Sequence, residues 1–282
     1  MFFRTDLALD SFEAFRDISD GIKKTDYTHL SFRVTDIEVL DEEAALKLNK
    51  RIGRYLTIEI PSPINHPENN SEIEKLLAKE LATFLISGET MIIGLGNVEV
   101  PADALGPFSA RKIFVTRHIP KEMAKNMGLS SLRSVSSVAV GVLGKTGVES
   151  EETAHALTKV INPQNIIVID ALAASSIHRL GTAIQITNTG ISPGSGVGGT
   201  SKEISSETMN GLNVISIGVP MVVDASVIAS ESGGNGENLK GLIVTTKDAD
   251  RLNETLSEII SSAINLALFP EIDRETLKQL VI

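Results

Sequence analysis

The chain has 282 residues, 42% of them hydrophobic and 22% charged, which is enough for one large α/β domain with a substantial core. Its formal charge of −10 repels a phosphate backbone or an anionic membrane surface, so broad nucleic-acid binding is excluded. The absence of cysteine removes disulfides, thiolate metal sites and cysteine nucleophiles together.

Met1-Phe2-Phe3-Arg4-Thr5-Asp6 reaches charged residues too early for a signal peptide. No later apolar run approaches the roughly 20 residues of a membrane span, so a cytoplasmic protein is expected. The stretch to about residue 60 is polar and mixed, with a helical pattern over Glu42 to Leu48. The apolar-polar alternation at Leu56, Ile58 and Ile60 suits an exposed edge strand, and Pro61, Pro63, Pro67 and Asn69-Asn70 predict a loop after it. Ser71 as N-cap, with Glu74 at the capping-box position, predicts a helix whose stripe Ile73, Leu76, Leu77, Leu81 and Leu85 runs to a stop at Gly88.

Short apolar runs then predict strands at Met91 to Leu95, Ile113 to Val115, Val138 to Leu143, Ile166 to Ile169, Ala183 to Ile186, Val214 to Val219 and Leu242 to Thr245. Several have the composition of strands buried on both faces. Helical patterns over Ser150 to Val160 and Asp248 to Leu268 alternate with these runs, which predicts a largely parallel sheet with helices on both faces. Sites in such sheets gather at the carboxyl ends of strands.

Several motifs compete for the chemistry. Gly190-Ile191-Ser192-Pro193-Gly194 matches a serine-hydrolase elbow, but Pro193 has no N–H for an oxyanion and all five histidines precede Ser192. Gly194, Gly196 and Gly199 fit a dinucleotide fingerprint but lie late in the chain, where a turn or a cleft-shaping loop is expected. Ala139 to Thr146, ending Gly144-Lys145-Thr146, resembles a phosphate loop and makes an NTPase the strongest competitor, with Asp170 in the place of a magnesium-binding acid. Against it, Ala139 replaces the first glycine, and Glu149, Glu151 and Glu152 crowd the phosphate position. The histidines are scattered, and no metal site is expected from them.

Asp103 and Asp170 stand apart because each follows an apolar run expected to be a central strand, Met91 to Leu95 and Ile166 to Ile169. Two carboxylates in a shared, partly dry cleft cannot both ionise cheaply, so one keeps a proton while the other acts as base toward water. The competing structural role for such aspartates is capping turns or helices.

With these residues stand Gly94-Leu95-Gly96-Asn97, Pro101-Ala102-Asp103-Ala104-Leu105-Gly106-Pro107, Thr146-Gly147-Val148-Glu149, Asp170-Ala171-Leu172-Ala173-Ala174 and Thr189 to Gly198. Arg4-Thr5-Asp6-Leu7-Ala8 and Ile217 to Ala225 extend the series over nearly the whole chain. Together they resemble the germination protease family of spore-forming bacteria. The resemblance implies an unusual aspartic-type endopeptidase that degrades small acid-soluble spore proteins at germination, in the spore core, as a homotetramer without cofactors. It implies Asp103 and Asp170 as the catalytic pair and a zymogen cut at Asp6-Leu7, giving a short propeptide over residues 1–6 and a single peptidase domain over 7–282. Asn97, Glu149, Gly194, Ser195 and Gly196 become candidates for binding the substrate chain, with Lys145 as a secondary one.

The family is also distantly similar to hydrogenase-maturation proteases, which share an α/β sheet with helices on both faces. Those relatives use the equivalent acids to sense nickel, so metal binding is an alternative. This chain departs from the family's usual pattern at Ser175, Asn188 and Gly199, where arginine, aspartate and asparagine are expected. The first two changes together suggest a compensated charge pair or a catalytically weakened paralogue that binds spore proteins.

Overall fold

The computed structural model describes residues 5–15, 20–126, 129, 132–194 and 201–281. Helix α1 (Ala8–Ala14) is followed by strands β1 (Ile22–His29) and β2 (Phe32–Val39), helix α2 (Glu42–Leu48) and β3 (Gly53–Glu59). Next come α3 (Asn70–Ala82), β4 (Thr90–Leu95), α4 (Leu105–Arg111), α5 (Lys121–Asn126) and β5 (Val135–Gly141). Then follow α6 (Leu143–Thr146), α7 (Ser150–Ile161), β6 (Asn165–Ala174), β7 (Ala183–Thr187) and β8 (Asn213–Asp224). The last elements are α8 (Ala225–Glu231), β9 (Ile243–Val244), α9 (Ala249–Leu268) and α10 (Arg274–Leu280).

The strands form one sheet in the order β1-β2-β3-β7-β8-β6-β4-β5, with β9 pairing at the end of β8. Pairing is parallel across β8, β6, β4 and β5, where helices alternate with strands. It is antiparallel from β1 through β3 and β7 to β8, and for β9. The expected α/β architecture is therefore present, with parallel pairing confined to one half of a mixed sheet. The tight turn at Leu30, which joins β1 to β2, forces antiparallel pairing on the other half's edge, since parallel neighbours need a long crossover.

Successive residues of the central strands face opposite helical layers. Ile92, Ile167 and Ile169 pack in one apolar cluster with Ile73 and Leu77 of α3 and Leu256 and Ile260 of α9. Met91, Ile93, Ile166 and Val168 pack on the other face against Ala154 and Leu157 of α7. Burial of both faces is why these strands read as continuous apolar runs rather than alternating ones. A third cluster joins Leu9 of α1 and Leu48 of α2 to Ile37 and Tyr55. No helix among the described residues is long and apolar enough to cross a membrane.

Three local expectations are corrected. Strand β3 lies inside the sheet between β2 and β7, because the β1-β2 hairpin covers the edge that the alternation suggested was open. Ile113 to Val115 is not a strand: Ile113 and Phe114 fill the core, Phe114 stacking edge-on against Phe269 with ring centroids 5.1 Å apart. Helix α3 begins at Asn70 and ends at Ala82, so Ser71 is inside its first turn. Glu74 does not close a capping box but pairs with Arg274 and accepts a hydrogen bond from Ser262 at 2.7 Å.

Candidate active site

Strands β4 and β6 are adjacent and parallel, with Gly94 opposite Ile169, so their carboxyl ends open on the same edge. Asp170 follows Ile169 directly and is 4% exposed. Beyond β4 the chain turns at Gly96 with φ +115°, and a short 3-10 turn over Pro101–Asp103 carries Asp103 back to the strand end. The Asn97 N–H donates to the Asp103 carbonyl oxygen at 3.0 Å and closes this loop. A Cβ at position 96 would lie 2.0 Å from that oxygen, so glycine is required for the return. At Gly106 a Cβ would meet the carbonyls of Leu95 and Ile169 at 2.2 and 2.4 Å, and its absence lets α4 sit against both strand ends.

Both acids line one cavity of about 410 Å³, together with Asp6, Gly144, Ser192 and Gly194. Burial raises the Asp103 carboxyl from its usual 3.8 to about 6, and the nearby Asn97 N–H works in the opposite direction. Burial also pushes Asp170 well above the ordinary carboxylate range. The charge of Asp103 adds to that rise and Asp6 contributes further, while the Ala171 N–H, 2.9 Å from Asp170 Oδ1, opposes it. Both carboxyls are raised in one cavity, so ionising the two together is costly and the pair tends to retain a proton.

The segment before α1 crosses the same edge. Asp6 N–H donates to Ala173 O at 2.9 Å, and Ala173 N–H donates to Asp6 Oδ2 at 2.8 Å. Leu7 is fully buried among Leu172, Ala174, Ala183 and Val223. Beside it, Asp10 is buried and paired with Arg179, and accepts from the Ser175 N–H and hydroxyl at 2.6 and 2.8 Å. Ser175, where the family resemblance anticipates arginine, thus binds an aspartate that draws its guanidinium from position 179. Asn188 has a different partner, accepting from the Arg54 N–H at 2.9 Å.

The other anticipated residues divide. Gly194 lines the cavity. Asn97 and Glu149 do not, although their neighbours Gly96 and Ser150 do, and the Asn97 side chain accepts from the Glu99 N–H at 3.1 Å. Ser195, Gly196 and Gly199 lie outside the described residues. Ala139 to Gly141 belongs to strand β5, where a phosphate loop would need open backbone, and Lys145 is paired with Glu99. Among the described residues no group of three or more His, Asp or Glu side chains is arranged to hold a metal ion.

Residues 8–233 match the family model described as Germination protease. The chain belongs to the germination protease family, and so is a peptidase. The germination protease of Clostridium tetani is 36% identical over 315 residues, covering 96% of this chain and 97% of its own. That of Caldanaerobacter subterraneus is 36% identical over 321 residues, covering 99% and 98%. Among solved structures, a [NiFe] hydrogenase maturation protease from Thermococcus kodakarensis aligns with a TM-score of 0.38 and 17% identity over 66% of this chain and 98% of its own.

Sequence reading missed Lys50, Gln185, Asp10 and Arg179 as neighbours of this edge. Gln185 alone left a trace, as the single polar residue in the apolar run Ala183 to Ile186.

Proposed function

We propose that this germination protease family member is an aspartic-type endopeptidase that degrades small acid-soluble spore proteins during germination, in the spore core and as a homo-oligomer. The observation that supports the mechanism is the pair of acids, Asp103 and Asp170, at adjacent parallel strand ends on one cavity. Ionised Asp103 takes a proton from a water between the two groups, and that water attacks the peptide carbonyl carbon. Protonated Asp170 donates to the carbonyl oxygen as it gains charge, giving a tetrahedral intermediate. The proton held by Asp103 then passes to the leaving amine as the C–N bond breaks. The oxygen's proton returns to Asp170 as the carbonyl re-forms, restoring both groups.

The resemblance also supports a cut at Asp6-Leu7 that releases residues 1–6. The placement of Asp6 in the wall of the same cavity is consistent with that cut.

The test is digestion of a small acid-soluble spore protein, with fragments read by mass spectrometry. Asp103→Asn and Asp170→Asn should each abolish cleavage while leaving the fold intact by circular dichroism. Undiminished cleavage by either variant refutes the assignment.

A further inference from the structure

A second cavity, of about 180 Å³, also has Asp6 in its wall. Its lining is polar where the first is largely apolar, and includes Lys50, Tyr55, Gln185, Thr187 and Ser216. Asp6, Leu172, Ile191 and Ser192 line both cavities, so the amino-terminal segment forms part of the wall between them.

Two side chains of the second cavity hold that segment by its main chain. Lys50 Nζ donates to Thr5 O at 2.9 Å, and Gln185 Nε2 donates to Asp6 O at 3.3 Å. Gln185 Oε1 accepts the Ala8 N–H at 2.8 Å, so one amide grips the chain on both sides of Leu7. On the other edge Ala173 C=O accepts the Asp6 N–H, so three contacts to Thr5 and Asp6 use backbone groups that any peptide carries, while Ala173 N–H takes the Asp6 carboxylate. Burial lowers the Lys50 ammonium, so the group is poorly hydrated and gains from a carbonyl acceptor.

We infer that Lys50 and Gln185 form a main-chain subsite for the substrate residues on the amino-terminal side of the scissile bond. The subsite is filled by Thr5 and Asp6 in the intact chain and opens when residues 1–6 leave. Their departure frees Lys50 Nζ, Gln185 Nε2 and Ala173 N–H together and joins the two cavities into one groove past Asp103 and Asp170. The inference rests on the peptidase reading and on the cut at Asp6-Leu7. Lys50 holds the carbonyl one residue before the scissile bond and is a positioning residue, whereas Gln185 reaches the scissile carbonyl oxygen itself, beside the donor Asp170.

The test uses the acetylated tetrapeptide Phe-Arg-Thr-Asp, copied from residues 3–6, titrated into the full chain and into a chain beginning at Leu7. Among the described residues the apolar core begins at Leu7, so the shortened chain keeps its core, and a thermal melt checks that it folds. If it does not fold, the titration is made on full-length Asp6→Gly, which removes the carboxylate seated on Ala173 N–H. The tetrapeptide should bind the shortened chain and not the full one. Lys50→Met should weaken binding by about tenfold or more, as should replacing the peptide's threonine carbonyl by methylene. The two changes together should cost little more than either alone.

Binding that is unaffected by Lys50→Met, equal in the two chains, or absent from a folded shortened chain overturns the subsite. Asp103→Asn in the shortened chain should keep tetrapeptide binding while losing cleavage. Cleavage retained in that variant would sink the aspartate-pair mechanism and leave the binding result to be judged on its own.

Discussion

Replacing Asp103 by asparagine should inactivate the protein and stabilise it at neutral pH. Burial raises this carboxyl from 3.8 to about 6, so between those values the folded chain holds a proton that the unfolded chain has released. The stability tied to that proton is fully present below about pH 4 and is lost as pH rises through about 6. Above this window the ionised Asp103 costs on the order of 2–3 kcal/mol, allowing for its partial exposure to the cavity. Asparagine cannot ionise, and it removes the charge that raises Asp170 as well. Urea unfolding of both proteins from about pH 4 to pH 7 measures the difference, which should grow from near zero to a gain of about 2 kcal/mol or more for the variant. Comparing variant with wild type cancels the opposite pH dependence of ion-paired carboxylates elsewhere. A difference that is flat with pH, or that favours wild type at neutral pH, would refute the placement of Asp103 in a desolvated cleft.

Cleavage by the wild-type protein should rise with pH through about 6 as Asp103 becomes the base, and a rate that falls through this window would contradict the assigned roles. Gly96→Ala should cost about 2 kcal/mol or more, since φ +115° strains alanine and its Cβ would meet the Asp103 carbonyl oxygen at 2.0 Å. Cleavage should fall with it, and unchanged kcat/KM would show that the loop tolerates another path. Arg179→Met should destabilise by about 3 kcal/mol, because Asp10 has a fully buried side chain that loses its charge partner. Adding Asp10→Asn should recover part of that loss in urea unfolding, and no recovery would mean that Arg179 acts through packing alone.

Much of this site was legible along the chain because its signals are local. Apolar runs without alternation announced central strands buried on both faces, and an aspartate directly after such a run had to lie at a strand end. The stripe Leu252, Leu256, Ile260 and Ile264 likewise repeats at the helical period in α9, which packs on the core by that face. The amino-terminal hairpin was illegible for the converse reason. Strand β1, Ile-Lys-Lys-Thr-Asp-Tyr-Thr-His, is a half-exposed edge with no buried face to impose a pattern, and its register is set only by pairing with β2.

The sequence by itself determined which residues could carry the chemistry and which strands would be buried. Only the tertiary structure decided that β3 is interior, that Ile113 and Phe114 fill the core, and that Lys50 and Gln185 meet the segment at Thr5 to Ala8. Those outcomes depend on contacts between positions far apart in the chain, to which no local period responds. The raised carboxyls have the same origin: an aspartate's affinity for its proton is fixed by how much water the fold removes and which charge it brings near, and neither exists until the two strand ends are side by side.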